Sequence, residues 1–171
     1  NKWFEYTMSM GKSDGTATTY FYNGLPRLVQ HYKNDILDGE EKEYTYQGEL
    51  FAIANYTEGK KNGLVTLYHP NGKTREQLTY VSGQEDGPYQ SFYINGLPFE
   101  KGRYEGGKKD GLWTSVHENG KPKDSTTFAE NEVTGPFSEY FDNGNISRRG
   151  NYNKKKIDGL LYDYASDGKP Y

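Results

Sequence analysis

Two series of glycine residues run through the chain at the same interval of 24 residues, and this repetition constrains the fold more than any other feature. A period between about 20 and 50 residues indicates a repeat architecture in which each unit packs against its neighbours. We therefore predict a single array over residues 1–171, with a partial repeat over residues 1–14. The repeats start at the first-series glycines, which are Gly15, Gly39, Gly63, Gly87, Gly111, Gly135 and Gly159. The second series consists of Gly24, Gly48, Gly72, Gly96, Gly120, Gly144 and Gly168.

Each repeat also carries two aromatic positions, separated by turn residues. The first aromatic column follows the first-series glycines and contains Tyr20, Tyr44, Tyr68, Phe92, Tyr140 and Tyr164. The second column follows the second-series glycines and contains Tyr32, Tyr56, Tyr80, Tyr104, Phe128 and Tyr152. Short segments between turn residues predict one β-hairpin per repeat. The predicted fold is all-β: an elongated antiparallel meander of tandem hairpins, with about seven repeats and about 14 strands in an open array.

The Asn-Gly turns are compatible with two loop types. A two-residue type I′ loop is the commonest hairpin signal. Pro70-Asn71-Gly72-Lys73 instead favours a three-residue loop, because proline suits the start of a type I turn and glycine suits the bulge that follows. The three-residue loop pairs Tyr20 with Pro26 and Tyr44 with Leu50, and it predicts both aromatic columns on one face. The two-residue loop would put the columns on opposite faces.

The composition excludes several classes of protein. Only 32% of the residues are hydrophobic, and 17 tyrosines favour a thin aromatic core over a thick aliphatic one. A net charge of −3 gives no attraction to nucleic acid or to an anionic membrane. No apolar run approaches the roughly 18 residues of a membrane-spanning helix, so we predict no membrane insertion. The absence of cysteine excludes disulfides and thiolate metal sites, but it leaves the compartment open.

The residues that usually carry catalysis are explained by the repetition. His69 and His117 occupy equivalent positions two repeats apart, roughly 19 Å in a flat meander, which is too far to share a metal ion at about 2 Å. Glu76, Glu100 and Asp124 form one column with neighbours roughly 10 Å apart, at the outer limit for a glycosidase pair. We therefore predict that the chain is not an enzyme and uses no cofactor and no metal ion.

Under the preferred loop type, the face opposite the two columns carries a further group of aromatic side chains in the central repeats. Exposed aromatic patches commonly mark surfaces that bind another protein. The alternative is that the sheet curls or is two-sided and buries these rings as a second core. The candidate partner-binding residues are Tyr89, Tyr93, Phe99, Trp113, His117, Phe137 and Phe141.

The repeat that contains Gly111, Trp113, Asn119, Gly120 and Lys121 resembles the MORN-variant repeats that occur in tandem in bacterial proteins. Many such proteins are described as antitoxin components of toxin–antitoxin modules. The resemblance implies a bacterial, non-enzymatic scaffold for protein–protein interaction, antitoxin-like or immunity-like, whose partner is a toxin or a surface protein. We expect an extracytoplasmic location over a cytoplasmic one, and the oligomeric state stays open.

A second reading is that the aromatic rows bind a cell-surface carbohydrate or a choline-like head group. Choline-binding repeats resemble this chain in combining glycine turns with aromatic strands, and they hold the head group in cages of tryptophan and tyrosine. Only two tryptophans occur here, which favours protein binding over this alternative.

Overall fold

The computed structural model describes residues 3–171, so Asn1 and Lys2 of the predicted array lie outside the described residues. The described chain forms an open antiparallel sheet of 16 strands, which follow one another in chain order except that β6 pairs only with β5 and β16 pairs with β14. The predicted all-β meander of tandem hairpins is therefore confirmed. Within residues 3–171, no helix is long and apolar enough to cross a membrane.

The chain divides into two compact units. Unit 1 is Asn1–Gln84 and unit 2 is Glu85–Tyr171. The strands of unit 1 are β1 (Phe4–Ser9), β2 (Lys12–Tyr20), β3 (Pro26–Lys33), β4 (Ile36–Tyr44), β5 (Leu50–Thr57), β6 (Lys60–Lys61), β7 (Gly63–Tyr68) and β8 (Thr74–Val81). The remaining strands are β9 (Gln84–Phe92), β10 (Pro98–Glu105), β11 (Lys108–Val116), β12 (Pro122–Ala129), β13 (Glu132–Tyr140), β14 (Ile146–Asn153), β15 (Lys156–Ile157) and β16 (Tyr162–Asp163).

The Asn-Gly turns adopt the predicted three-residue loop. Between β2 and β3, the backbone N–H of Phe21 donates to the carbonyl of Leu25 at 2.8 Å, and that of Gly24 donates to Phe21 at 2.9 Å. Gly24 has a φ of 83°, as the bulge position after a type I turn requires. The predicted pairs Tyr20 with Pro26 and Tyr44 with Leu50 are both present.

The prediction that both aromatic columns share one face is wrong, because each of these hairpins contains one more bulge. Tyr20 pairs with Pro26 but Thr19 pairs with Leu28, so Arg27 has no opposite residue. One extra residue reverses which side chains share a face, since side chains alternate along a strand. The second column therefore lies on the opposite face from the first. We call the face of the second column face A and the other face B. The equivalent extra residues in later hairpins are Phe51, Arg75, Phe99, Lys123 and Ser147.

The turns that connect successive hairpins do not lie at the first-series glycines. Seven two-residue turns precede those glycines, and both residues of each have positive φ, as a type I′ turn requires. Five first-series glycines, Gly15, Gly39, Gly87, Gly111 and Gly135, lie inside strands, whereas Gly63 begins β7 and Gly159 lies outside the strands. At Gly39 the strand bulges, because Asp38, Gly39 and Glu40 together face His31 alone. The seven turns are Met10-Gly11, Asn34-Asp35, Glu58-Gly59, Ser82-Gly83, Gly106-Gly107, Glu130-Asn131 and Lys154-Lys155.

The core is thin and lies on face A in both units. The buried apolar residues of unit 1 are Ala17, Ala54 and Val65, and those of unit 2 are Trp113 and Phe137. Cross-strand pairing places each of them beside the second aromatic column. Two residues after a first-series glycine, unit 1 therefore holds Ala17 and Val65, whereas unit 2 holds the large rings of Trp113 and Phe137.

Candidate functional site

Face A of unit 2 carries four rings that all contact or include Trp113, which we call the ring cluster: Tyr89, Tyr104, Trp113 and Phe128. Trp113 lies at the centre and is only 2% exposed. Its ring centroid lies 5.2 Å from Tyr89 in a stacked arrangement, 5.2 Å from Tyr104 edge-to-face and 6.2 Å from Phe128 edge-to-face. These distances and angles are those that aromatic quadrupoles favour. The ring contacts therefore stabilise the packing of four successive strands, β9, β10, β11 and β12.

Gly102 on β10 provides the space that Trp113 occupies. A Cβ atom at Gly102 would lie 2.2 Å from Cδ2 of Trp113 and 2.3 Å from Cε2, far inside van der Waals contact. The indole therefore lies flat on the backbone of Gly102, and one of its two faces is fully covered. A similar relation joins Gly150 to Phe137, whose Cε1 would lie 2.9 Å from a Cβ there.

The ammonium group of Lys109 lies over the ring of the Trp113 indole. Lys109 Nζ lies 3.7 Å from the Trp113 ring centroid and 5.5 Å from that of Phe128. Glu100 provides a carboxylate at 3.5 Å from the same nitrogen. The site therefore combines aromatic faces with one negative charge around a cation, while Nε1 of Trp113 is buried without an acceptor in the described chain.

Face A of unit 1 carries a polar network at the equivalent positions. Gln30 Nε2 donates to Glu41 Oε2 at 2.5 Å, and Tyr56 donates its hydroxyl to Glu41 Oε1 at 3.2 Å. Tyr32 donates its hydroxyl to Gln30 at 3.2 Å. Burial, followed by the negative charge of Glu41, raises the pKa of Tyr56 to about 12. No group of three His, Asp or Glu residues within 3–171 is arranged to hold a metal ion.

A second aromatic group lies at the Asn-Gly turns of unit 1 and is open to solvent. We call it the turn-edge patch: Trp3, Phe21, Tyr22, Leu25 and Tyr46. Trp3 is 53% exposed, Tyr22 78% and Tyr46 53%. Trp3 meets Tyr22 edge-to-face at 4.7 Å, and Phe21 meets Tyr46 edge-to-face at 5.4 Å. The patch therefore presents large rings that are already in contact with one another.

The turns hold this patch in place. Asn23 Oδ1 accepts from the backbone N–H of Leu25 at 3.1 Å, and its Nδ2 donates to the carbonyl of Tyr46 at 2.8 Å in the next turn. The sequence analysis missed this patch because it followed the strand positions. The sequence does indicate the patch at Tyr22 and Tyr46, which directly precede the Asn or Gln residue of the turn. Turn geometry requires no aromatic side chain at that position.

Three segments of the chain, residues 61–82, 109–130 and 133–154, match the family model described as the MORN repeat variant. These three segments are therefore similar to MORN-variant repeats. Together they cover fewer than half of the residues, and the second contains both Lys109 and Trp113 of the ring-cluster region. A comparison with curated proteins finds no match. The resemblance to MORN-variant repeats is thus confirmed at the level of the repeat scaffold, and the match names no partner.

The three matched segments contain four of the seven predicted partner-binding residues, and the structure separates the seven into two groups. Tyr89, Trp113 and Phe137 lie on face A, in contact with second-column rings such as Tyr104 and Tyr152. The prediction that these three lie on the face opposite both columns is wrong, because of the additional bulge in each hairpin. Trp113 and Phe137 are buried, and Tyr89 is half-buried.

The other group lies where adjacent repeats meet at the Asn-Gly turns. Tyr93 donates its hydroxyl to the carbonyl of Val116 at 2.8 Å, and Nε2 of His117 lies 3.2 Å from the carbonyl of Tyr140. Phe99 is the extra residue of its hairpin, and its ring lies 4.9 Å from that of Tyr93. Tyr93 and His117 therefore join one hairpin to the next, whereas Phe99 contacts Tyr93 within one hairpin. The members of this group are Tyr93, Phe99, His117 and Phe141, and all four are half-buried. Partner binding by the seven residues stays a prediction.

Proposed function

We propose that this chain is a non-enzymatic β-repeat scaffold that binds another protein through the turn-edge patch of unit 1. The observation that supports this is the exposure of Trp3 and Tyr22 as a preformed edge-to-face pair. Tryptophan and tyrosine are the residue types that most often dominate the energy of a protein interface. In unit 2 the tryptophan Trp113 is buried and Tyr89 and Tyr93 are half-buried, whereas Tyr162 and Tyr171 are exposed. Unit 1 is thus the unit that exposes a tryptophan.

The rigidity of the turns supports the proposal further. Asn23 bonds to its own turn and to the next one, so the rings of Tyr22 and Tyr46 start from fixed backbone positions. A binding surface that is already ordered loses less conformational entropy on association. Leu25 completes the patch by lying against Gly48, where a Cβ would be 3.2 Å from Leu25 Cδ1. The backbone that carries the turn-edge patch is therefore ordered before any partner binds.

An antitoxin-like or immunity-like role, as the repeat resemblance implies, is a specific case of this protein-binding function. In that form the partner is a toxin or a surface protein whose gene lies beside that of the chain. The MORN-variant match supports a repeat scaffold, and the absence of a metal-binding group in residues 3–171 is compatible with a binding role. The partner, the compartment and any effect on a toxin belong to this proposal.

The test is binding of the purified chain to the purified product of each adjacent gene, measured by calorimetry. We expect Trp3→Ala and Tyr22→Ala each to weaken binding by about tenfold or more, as hot-spot residues do. Leu112→Ala is the matched control, because Leu112 is 60% exposed but lies on face B of unit 2. Wild-type affinity in both patch variants would overturn the assignment of the surface. Binding to none of the adjacent products would overturn the antitoxin-like form.

A further inference from the structure

Lys109 closes an aromatic site that is otherwise built to receive a cation from outside. Its ammonium group lies over the ring of Trp113, which also packs against Gly102 and stacks with Tyr89. Phe128 forms a wall and Glu100 supplies the carboxylate. We infer that the ring cluster is a binding site for methylated ammonium groups, and that Lys109 is the internal ligand with which they compete.

The chemistry of the site suits a methylated ammonium better than a lysine. A lysine ammonium is strongly hydrated and carries three donors, and here the described partner is one carboxylate at 3.5 Å. A quaternary ammonium has no N–H donors to satisfy, and its methyl groups can contact the rings of Trp113 and Phe128. Aromatic faces attract such a cation through their quadrupole, most strongly when tryptophan is present.

Another repeat shows what the site would be without its tryptophan. In unit 1, Lys61 Nζ lies 5.4 Å from the ring centroid of Tyr80, which reproduces the relation of Lys109 to Phe128. The position of Trp113 is taken there by Val65, which pairs with Leu78. Lys61 pairs with Tyr56 across the strands and lies near the Tyr80 ring, but it has no indole face to cover. The two lysines occupy equivalent repeat positions, so Lys61 provides a matched control within the same chain.

The experiment uses the full chain with Trp3→Phe, which leaves Trp113 as the only tryptophan, and follows its fluorescence during titration with choline chloride. We expect a saturable change in the Lys109→Ser variant, with a dissociation constant at least about tenfold lower than without that change, because the internal competitor is gone. Lys61→Ser should leave the dissociation constant for choline the same as in the chain that carries Trp3→Phe alone. Sodium chloride at the same concentration controls for ionic strength.

Two further measurements separate a cation site from a merely apolar pocket. The uncharged isostere 3,3-dimethylbutan-1-ol should bind the Lys109→Ser variant at least about tenfold more weakly than choline, since it lacks the charge. Adding Glu100→Gln should weaken choline binding by removing the carboxylate. Equal binding of the isostere, or no saturable response in Lys109→Ser, would overturn the inference.

The unmodified chain provides a readout that does not depend on any variant folding. Indole N–H signals in a ¹⁵N-edited NMR spectrum report Trp3 and Trp113 separately. We expect choline to shift the Trp113 signal progressively and to leave the Trp3 signal in place. Shifts of Trp3 alone, or equal shifts of both, would contradict a site at the ring cluster.

Discussion

The two tryptophans of the chain lie in opposite settings. Trp3 is 53% exposed at the turn edge of unit 1 and contacts Tyr22 edge-to-face. Trp113 is 2% exposed on face A of unit 2, between the backbone of Gly102 and the ammonium of Lys109. Trp3 precedes the edge strand β1, whereas Trp113 lies in β11 between β10 and β12, so the difference comes from position within the sheet. One tryptophan fills a core and the other forms part of a surface.

The same comparison applies to the faces of the two units. Glu41 of unit 1 and Trp113 of unit 2 each lie two residues after a first-series glycine. Glu41 accepts hydrogen bonds from Gln30 and Tyr56, whereas Trp113 packs against rings. A half-buried carboxylate requires such donors, because an unpaired charge would be strongly destabilising there. Equivalent positions of the repeat can therefore hold either a polar network or an aromatic cluster.

The largest expected effect separates the two tryptophans directly. Trp113→Ala should lower the free energy of unfolding of unit 2 by about 3–5 kcal/mol, as removal of a fully buried ring does. Trp3→Ala should change the stability by no more than about 0.5 kcal/mol, because its ring is half exposed. Urea unfolding followed by far-UV circular dichroism measures both. Equal losses would mean that burial does not distinguish them.

The second effect concerns the space beneath Trp113. Gly102→Ala should destabilise unit 2 by about 1–3 kcal/mol, because the new Cβ overlaps the indole. Gly150→Ala should cost less, since its nearest contact, Phe137 Cε1, lies at 2.9 Å and not at 2.2 Å. Combining Gly102→Ala with Trp113→Leu should give less than the sum of the two single losses. Additive losses in that double variant would show that the indole and Gly102 do not share this space.

Much of the fold follows from the spacing of residues. The 24-residue period, the Asn-Gly turns and the proline at Pro70 are enough to predict tandem hairpins with three-residue loops. Pairs such as Tyr20 with Pro26 follow from the loop type alone. These features are local, so backbone preferences of proline, glycine and asparagine determine them.

The faces of the sheet could not be predicted in the same way. The residue type of the extra residue in each hairpin, such as Arg27 or Lys123, does not distinguish it from a paired strand residue. One such residue moves every later side chain of the strand to the other face. The contacts of Trp113 with Gly102 and Lys109 could not be predicted either, because Gly102 lies in the preceding hairpin and Lys109 lies at the start of β11. Contacts between hairpins depend on that register.

A third effect appears only at high pH and concerns unit 1. Tyr56 has its pKa raised from 10.0 to about 12, by burial and then by Glu41, so folding favours the protonated phenol. This contribution to stability is fully present below pH 10 and is lost as the pH rises towards 12. Tyr56→Phe should remove that dependence, and Glu41→Gln should lower the pKa of Tyr56. Titration of the labelled Tyr56 ring by NMR measures the pKa, and an unchanged value in Glu41→Gln would contradict the role of the carboxylate.

The smallest effect tests whether the turn edges of the two units are equivalent despite their different side chains. Asn23 in unit 1 and Asn119 in unit 2 each accept from the backbone two residues later and donate to a carbonyl of the next turn, at 2.8 and 2.7 Å. Replacing either with alanine should therefore cost about 1 kcal/mol, since the groups left behind are exposed to water. Gln47→Ala is the control, expected within about 0.5 kcal/mol of wild type. Hydrogen exchange of the amides in each turn measures the local loss. If Asn23→Ala cost much more than Asn119→Ala, the aromatic patch would be stabilising its own turn, and the two edges would differ in structure as well as in surface.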